Sequence, residues 1–230
     1  MRFVLYFTLF TAFVLFLWFS KKHFAKSHLS ATNDLMPTQP PTHLPDSDDA
    51  MQLHPPSAEQ TAQRVLAILA IFDKAHQDKK IVDWVASHQI DKYFSDEEKS
   101  FFNHPSPEEK VRIEFSWRVE GLVPLLWALG IIDEMPPLNQ MVKLDQYAQA
   151  LKSIHSSPEA FIESASLRSH QEIEKLEEHL YHQHWRTRDA YLFKKPMPKE
   201  LDPRIVYERR YAASWLVGWS EDWDEVPTDT

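Results

Sequence analysis

The sequence predicts an all-α fold: a compact multi-helix domain around a buried central helix, preceded by a single transmembrane helix and a Pro-rich linker. Three observations carry that prediction. Beyond residue 57, apolar residues recur at spacings of three and four, the period of a helix with one inward face. The stretches that show this period open on cap signals: Ser57 three residues before Gln60, Ser95 three before Glu98, and Asp202 directly before Pro203. Only three Gly are present in 230 residues, too few for a fold rich in tight hairpins.

Residues 1–23 are expected to anchor the chain. Phe3 to Phe19 is an apolar run whose only clearly polar members are Thr8 and Thr11, closed by Ser20-Lys21-Lys22. As a helix it spans roughly 26 Å, slightly less than a hydrocarbon core of about 30 Å, and snorkelling lysines cover the difference. The run is long for a signal peptide and no small-x-small cleavage site follows, which predicts an uncleaved, single-pass span. Lys21, Lys22 and Lys26 outweigh Arg2 and the N-terminus. That balance places the C-terminal domain on the cytoplasmic side of a bacterial inner membrane. Residues 24–57 contain Pro37, Pro40, Pro41, Pro45, Pro55 and Pro56 among polar neighbours and form an extended linker.

The domain occupies 58–230. A first helix runs to about His76 with Ala62, Val65, Leu66, Leu69, Ile71 and Phe72 inward, a second covers Ile81 to Gln89, and a short third carries Phe101 and Phe102. Phe115 to Ile132 is the densest apolar run, and apolar residues on two sides mark it as the central helix. Its start is expected at Ser106-Pro107-Glu108-Glu109, and Pro124 predicts a kink between Gly121 and Pro124. Pro136-Pro137 then breaks the chain. Leu144 to Ile154 and the segment opened by Ser157-Pro158 are modest helices. A long helix from about Leu167 to Phe193 places Ile173, Leu176 and Leu180 in a row that continues by fours through His184, Arg188 and Leu192. The last helix runs from the Asp202 cap to a stop at Gly218.

Composition excludes several chemistries. Without Cys there are no disulfides, thiol nucleophiles or Cys-held metals. A formal net charge of -9 argues against nucleic acid as a partner, and no dinucleotide fingerprint or P-loop is present, so no cofactor is expected. His179, His182 and His184 form the segment HLYHQH, but a two-residue step turns His184 away from His182. The segment reads as exposed or packed histidines, and no metal site is assigned. No nucleophile-elbow pattern supports a Ser-His-Asp triad.

One constellation remains. Glu120 is the only ionisable residue between Val119 and Ile132, and an apolar helix tolerates a carboxylate only if it meets a cation or is protonated. His184, Arg188, Glu208 and Arg209 likewise interrupt apolar faces on two other helices. Glu120, His184, Arg188, Glu208 and Arg209 are therefore the candidate polar cluster. It is either a buried ion-pair network that fixes helix docking, or a pocket for a small polar ligand or a catalytic carboxylate with a raised pKa. Arg118 is expected to face Glu114, four residues earlier.

The segments SWRVEGLVPLLWALG (116–130), HWRTRDAYL (184–192), YERRYAASWL (207–216) and WDEVPTDT (223–230) resemble the bacterial family catalogued as domain of unknown function 4272, over roughly Ala62 to Thr230. The resemblance implies an α-helical domain without an established activity, ligand, partner or catalytic residue, to which the N-terminal anchor is an addition. Gly121 and Pro124 stand where that family would be expected to carry helix-favouring residues.

Three functions follow as expectations. The first is a membrane-tethered binding module with a protein partner, motivated by exposed Trp219 and Trp223 in an acidic C-terminal tail. The second is a hydrolase-type enzyme or small polar ligand-binding domain using Glu120 with Arg or His partners. The third is a toxin-neutralising partner, since acidic helical domains suit basic targets.

Overall fold

Ser57 starts the folded chain. Its hydroxyl accepts from the Gln60 N–H at 3.1 Å while Gln60 Oε1 accepts from the Ser57 N–H at 2.8 Å, so two otherwise orphaned donors at a helix start are satisfied reciprocally. The structure, a computed structural model, describes residues 53–228. The expected anchor 1–23 and nearly all of the linker 24–57 lie outside the described residues. No helix among those described is long and apolar enough to cross a membrane.

Every regular element among the described residues is helical. Helix α1 (Ala58–Ala75) is followed by α2 (Lys80–His88), a 3-10 turn at Ile90–Tyr93, and α3 (Asp96–Asn103), whose Ser95–Glu98 capping box is formed as the spacing predicts. Next come α4 (Glu109–Trp117), α5 (Val119–Ala128), a 3-10 turn at Leu144–Tyr147 leading into α6 (Ala148–Ser156), and α7 (Pro158–Glu163). The long α8 (His170–Leu192) and α9 (Pro203–Leu216) follow, with a last 3-10 turn at Trp223–Glu225.

Helix α5 lies between α1 and α9, and α8 packs on the far side of α9. The predicted central helix is central, although α1 is as deeply buried: Ala62, Val65, Leu66, Ala67, Ile68, Ala70 and Ile71 have no exposed surface. Gly121 sits where α5 meets α9. A Cβ there would lie 3.5 Å from both Ala212 Cβ and the Glu208 carbonyl oxygen.

The run from 106 to 132 is two helices, which corrects the expectation of one. It begins after Glu108, which makes no side-chain cap bond, and it breaks at Arg118. There the bonds tighten to a spacing of three, from Arg118 N–H to the Phe115 carbonyl and from Gly121 N–H to the Arg118 carbonyl. The break lies at Arg118, upstream of the expected stretch from Gly121 to Pro124, and α5 continues through Pro124, whose ring faces the Glu120 carbonyl in its first turn.

Four helices end in the same motif, with a left-handed residue just past the end and two bonds folding back; at the end of α1 the residue is Gln77 (φ 62), whose N–H reaches the Lys74 carbonyl at 3.0 Å while the Asp78 N–H reaches the Asp73 carbonyl at 3.0 Å. Gly130 (φ 68) closes α5 and Gly218 (φ 91) closes α9. In α8 the place is taken by Lys194 (φ 52), whose N–H reaches the Tyr191 carbonyl at 3.3 Å while the Lys195 N–H reaches the Ala190 carbonyl at 2.9 Å. A side chain at this position costs about 1 kcal/mol relative to Gly. Gly218 is constrained twice over. The His54 N–H donates to its carbonyl at 3.0 Å, and a Cβ would fall 2.4 Å from His54 C and Pro55 N.

The two tryptophans of the C-terminal tail are not exposed, contrary to expectation. Trp223 is buried and Trp219 half-buried. Tyr211 and Trp215 each meet the Trp223 ring edge-on at 5.4 Å, the Arg64 guanidinium lies 4.7 Å from its centre, and Tyr211 Oη donates to its carbonyl. Its aromatic surface is spent on the domain's own core.

Candidate functional site

Glu120 stands in the first turn of α5 and has no exposed surface. From α9, Arg209 delivers Nε and Nη2 to Glu120 Oε2 at 3.0 and 2.9 Å, and the Val142 N–H donates to Oε1 at 2.7 Å. Arg209 is equally enclosed. Its remaining protons go to carbonyl oxygens of the loop after α5: Pro136 at 2.5 Å, Pro137 at 3.2 Å and Gln140 at 3.3 Å. Burial holds the Glu120 carboxyl above its ordinary range, against the opposing pull of Arg209 and the Val142 N–H. The pair is a clamp: one carboxylate and one guanidinium hold the 136–142 loop onto two helices, each polar atom met by a complementary one.

The other three predicted residues lie in different surroundings. His184 is buried on α8, and its partner is Arg210, whose Nη1 lies 2.6 Å from His184 Nδ1 and also donates to the Thr228 carbonyl at 3.1 Å. With a guanidinium at Nδ1, that nitrogen must accept, so the imidazole is neutral and carries its proton on Nε2. Burial first, then Arg210 and Arg188, push its pKa down to about 3. Glu208 pairs instead with Arg204 at 3.0 Å, and Arg204 also reaches Glu114 at 2.6 Å. Burial raises the Glu208 pKa despite Arg204. Arg188 is exposed. The structure thus joins Glu120 to Arg209 and assigns His184 and Glu208 to two further clusters, with Arg188 at the surface.

Arg188 was misplaced by extending a row in steps of four. Each such step overshoots a full turn by about 40°, so three steps from Leu176 rotate the row by roughly 120°. The buried face of α8 alternates steps of four and three through Ile173, Glu177, Leu180, His184 and Thr187. That face includes Glu177, which sequence reasoning left in a charged run. It has no exposed surface and accepts from Ser214 Oγ of α9 at 3.1 Å.

A further cluster was missed. Glu98 of α3 is wholly buried, paired with Arg64 of α1 and with Arg118 Nη1 at 3.3 Å. Arg118 also binds Glu97 at 2.5 Å and lies 3.9 Å from Asp224 of the tail. Arg118 is therefore committed to α3 and the tail, not to Glu114 as its helical spacing suggested. Arg64 gave a signal, as the one cation among Ala62, Val65 and Leu66.

None of these charged groups lines either of two grooves found on the described surface. One, of about 370 Å³, lies among Ile131, Ser153, Ile154, Ser157 and Phe161. The other, of about 250 Å³, lies beside His88, Lys92, Tyr93 and Glu159. Asp73, near the end of α1, stands apart from the clusters. Burial, and then Asp78, push its pKa up to about 7.

Residues 30–226 match the family described as Domain of unknown function (DUF4272). The chain belongs to this family. The match reaches upstream of Ala62, where the residue-level resemblance begins, and takes in much of the Pro-rich stretch of this DUF4272 chain. No curated protein and no solved structure matches it.

Proposed function

We propose that this DUF4272 chain is a non-catalytic interaction module. Residues 1–23 hold it at a bacterial inner membrane, and the Pro-rich stretch carries its helical domain on the cytoplasmic side. The observation that supports the non-catalytic part is the closure of Glu120. Both carboxylate oxygens are engaged and no surface of the residue is exposed. A general acid or base must come within hydrogen-bond reach of the proton it moves, and here Arg209 and Val142 occupy those positions.

A hydrolase using Glu120 is the second reading, favoured by the raised pKa of its carboxyl. Glu120→Gln separates the two. The architectural reading expects a marked loss of thermal stability. A variant that keeps the parent's unfolding temperature would overturn that reading in favour of chemistry at Glu120. For the tether, alkaline extraction of cell membranes should leave the full chain in the pellet and release a chain lacking residues 1–23. Release of the full chain would refute the anchor.

A further inference from the structure

The end of α8 carries a surface unlike the rest of the domain. Tyr191, Phe193 and Met197 are 62%, 42% and 36% exposed. Scattered apolar side chains on a surface need no explanation, but here three fall within seven positions of the chain. The same stretch is basic in an acidic protein. Residues 186–200 hold Arg186, Arg188, Lys194, Lys195 and Lys199 against Asp189 and Glu200, a net +3 in a chain of -9. Arg186 is paired with Glu200 at 2.6 Å and Lys195 with Asp189 at 2.8 Å. Arg188, Lys194 and Lys199 are exposed and form no ion pair among the described residues.

Lys194 sits at the left-handed position that ends α8 (φ 52), as Gln77 does at the end of α1 and Gln89 at the end of α2. Of these three side chains it is the one that adds a cation.

We propose that this tip docks on the anionic face of a lipid bilayer, with Tyr191, Phe193 and Met197 at headgroup depth and Arg188, Lys194 and Lys199 against phosphates. Aromatic rings with one polar end favour that depth, and lysine stems lie along apolar surface while their ammonium groups reach anions. A protein partner fits less well, because interface cores are depleted of lysine. The docking belongs to the folded domain's own surface and stands whether or not residues 1–23 cross the bilayer.

The test is hydrogen exchange of residues 188–199 in the full chain, with vesicles of phosphatidylcholine alone or mixed with phosphatidylglycerol. Exchange should slow at least about fivefold on the mixed vesicles, and high salt should reverse the effect. Lys194→Gly, referred to its own lipid-free rate, should lose about fivefold of the protection. Phe193→Ser should weaken docking while leaving the unfolding temperature near the parent's. Equal exchange on both vesicle types would overturn the proposal. So would protection that rises with protein concentration in the absence of lipid, which would mean that a second copy covers the patch.

Discussion

Replacing Glu120 by Gln removes one charge from an ion pair in which neither side chain has exposed surface. The Gln carbonyl oxygen can still accept from Val142, but its amide nitrogen must face Arg209, donor against donor. Breaking a buried pair from one side costs about 3–5 kcal/mol, because the surviving charge stays in the interior without compensation. Arg209 retains the Pro136, Pro137 and Gln140 carbonyls, which favours the lower end, about 3 kcal/mol. A domain of this size loses about 2–4 °C per kcal/mol, so unfolding followed by circular dichroism should fall by roughly 6–12 °C. Exchange of the 136–142 amides should accelerate before the rest of the domain opens. A fall of less than about 2 °C would refute the clamp.

Four further outcomes follow from the same structure. Lys194→Gly should raise the unfolding free energy by about 1 kcal/mol in urea titration, since it removes the left-handed cost at the end of α8. Gly218→Ala should destabilise by more than about 1 kcal/mol in the same titration, because φ is 91 and a Cβ would collide with His54 and Pro55. Trp223→Ala should cost about 3–5 kcal/mol and free the tail to limited proteolysis, as the ring fills the space between Tyr211, Trp215 and Arg64. Stability against pH should show two opposed effects. His184, depressed from 6.5 to about 3, contributes stability present above pH 6.5 and lost as pH falls towards 3. Asp73, raised from 3.8 to about 7, contributes stability present below pH 3.8 and lost as pH rises through 7. Asp73→Asn should therefore steepen the rise of stability with pH between those values by up to about 1.4 kcal/mol per unit, measured by urea unfolding across the range.

Local signals were legible in the sequence wherever one residue type does one job. Ser57, Ser95 and Asp202 announced helix starts because their side chains satisfy donors that the backbone cannot, and Gly218 announced an end because only glycine enters the left-handed region without cost. Ser169 with Glu172 forms another such box, and its spacing could have been read in the same way. Glu120 was conspicuous because it stood alone among apolar neighbours, and its need for a cation put Arg209 among its candidate partners beside His184 and Arg188. What failed was orientation. Consecutive Glu208, Arg209 and Arg210 point in three directions, and spacing alone does not say which neighbour each meets: Arg204, Glu120 and His184 respectively. Glu98 was read only as a cap partner and Glu177 was passed over, because each sits in an acidic run that looks solvated, although burial selects one member of the run. The tail tryptophans read as exposed because the side chains that receive Trp223 are Arg64, Tyr211 and Trp215, which no local pattern links to it.

The buried charges act as separate clamps and not as one centre. A double-mutant cycle measures that directly, pairing Glu120→Gln once with Arg209→Met and once with His184→Phe, with unfolding free energies from urea titration. Glu120 and Arg209 should couple by about 2 kcal/mol or more, whereas Glu120 and His184 should be additive within about 0.5 kcal/mol. A coupling between Glu120 and His184 as large as that with Arg209 would mean that the charges work as one site, and would contradict the account.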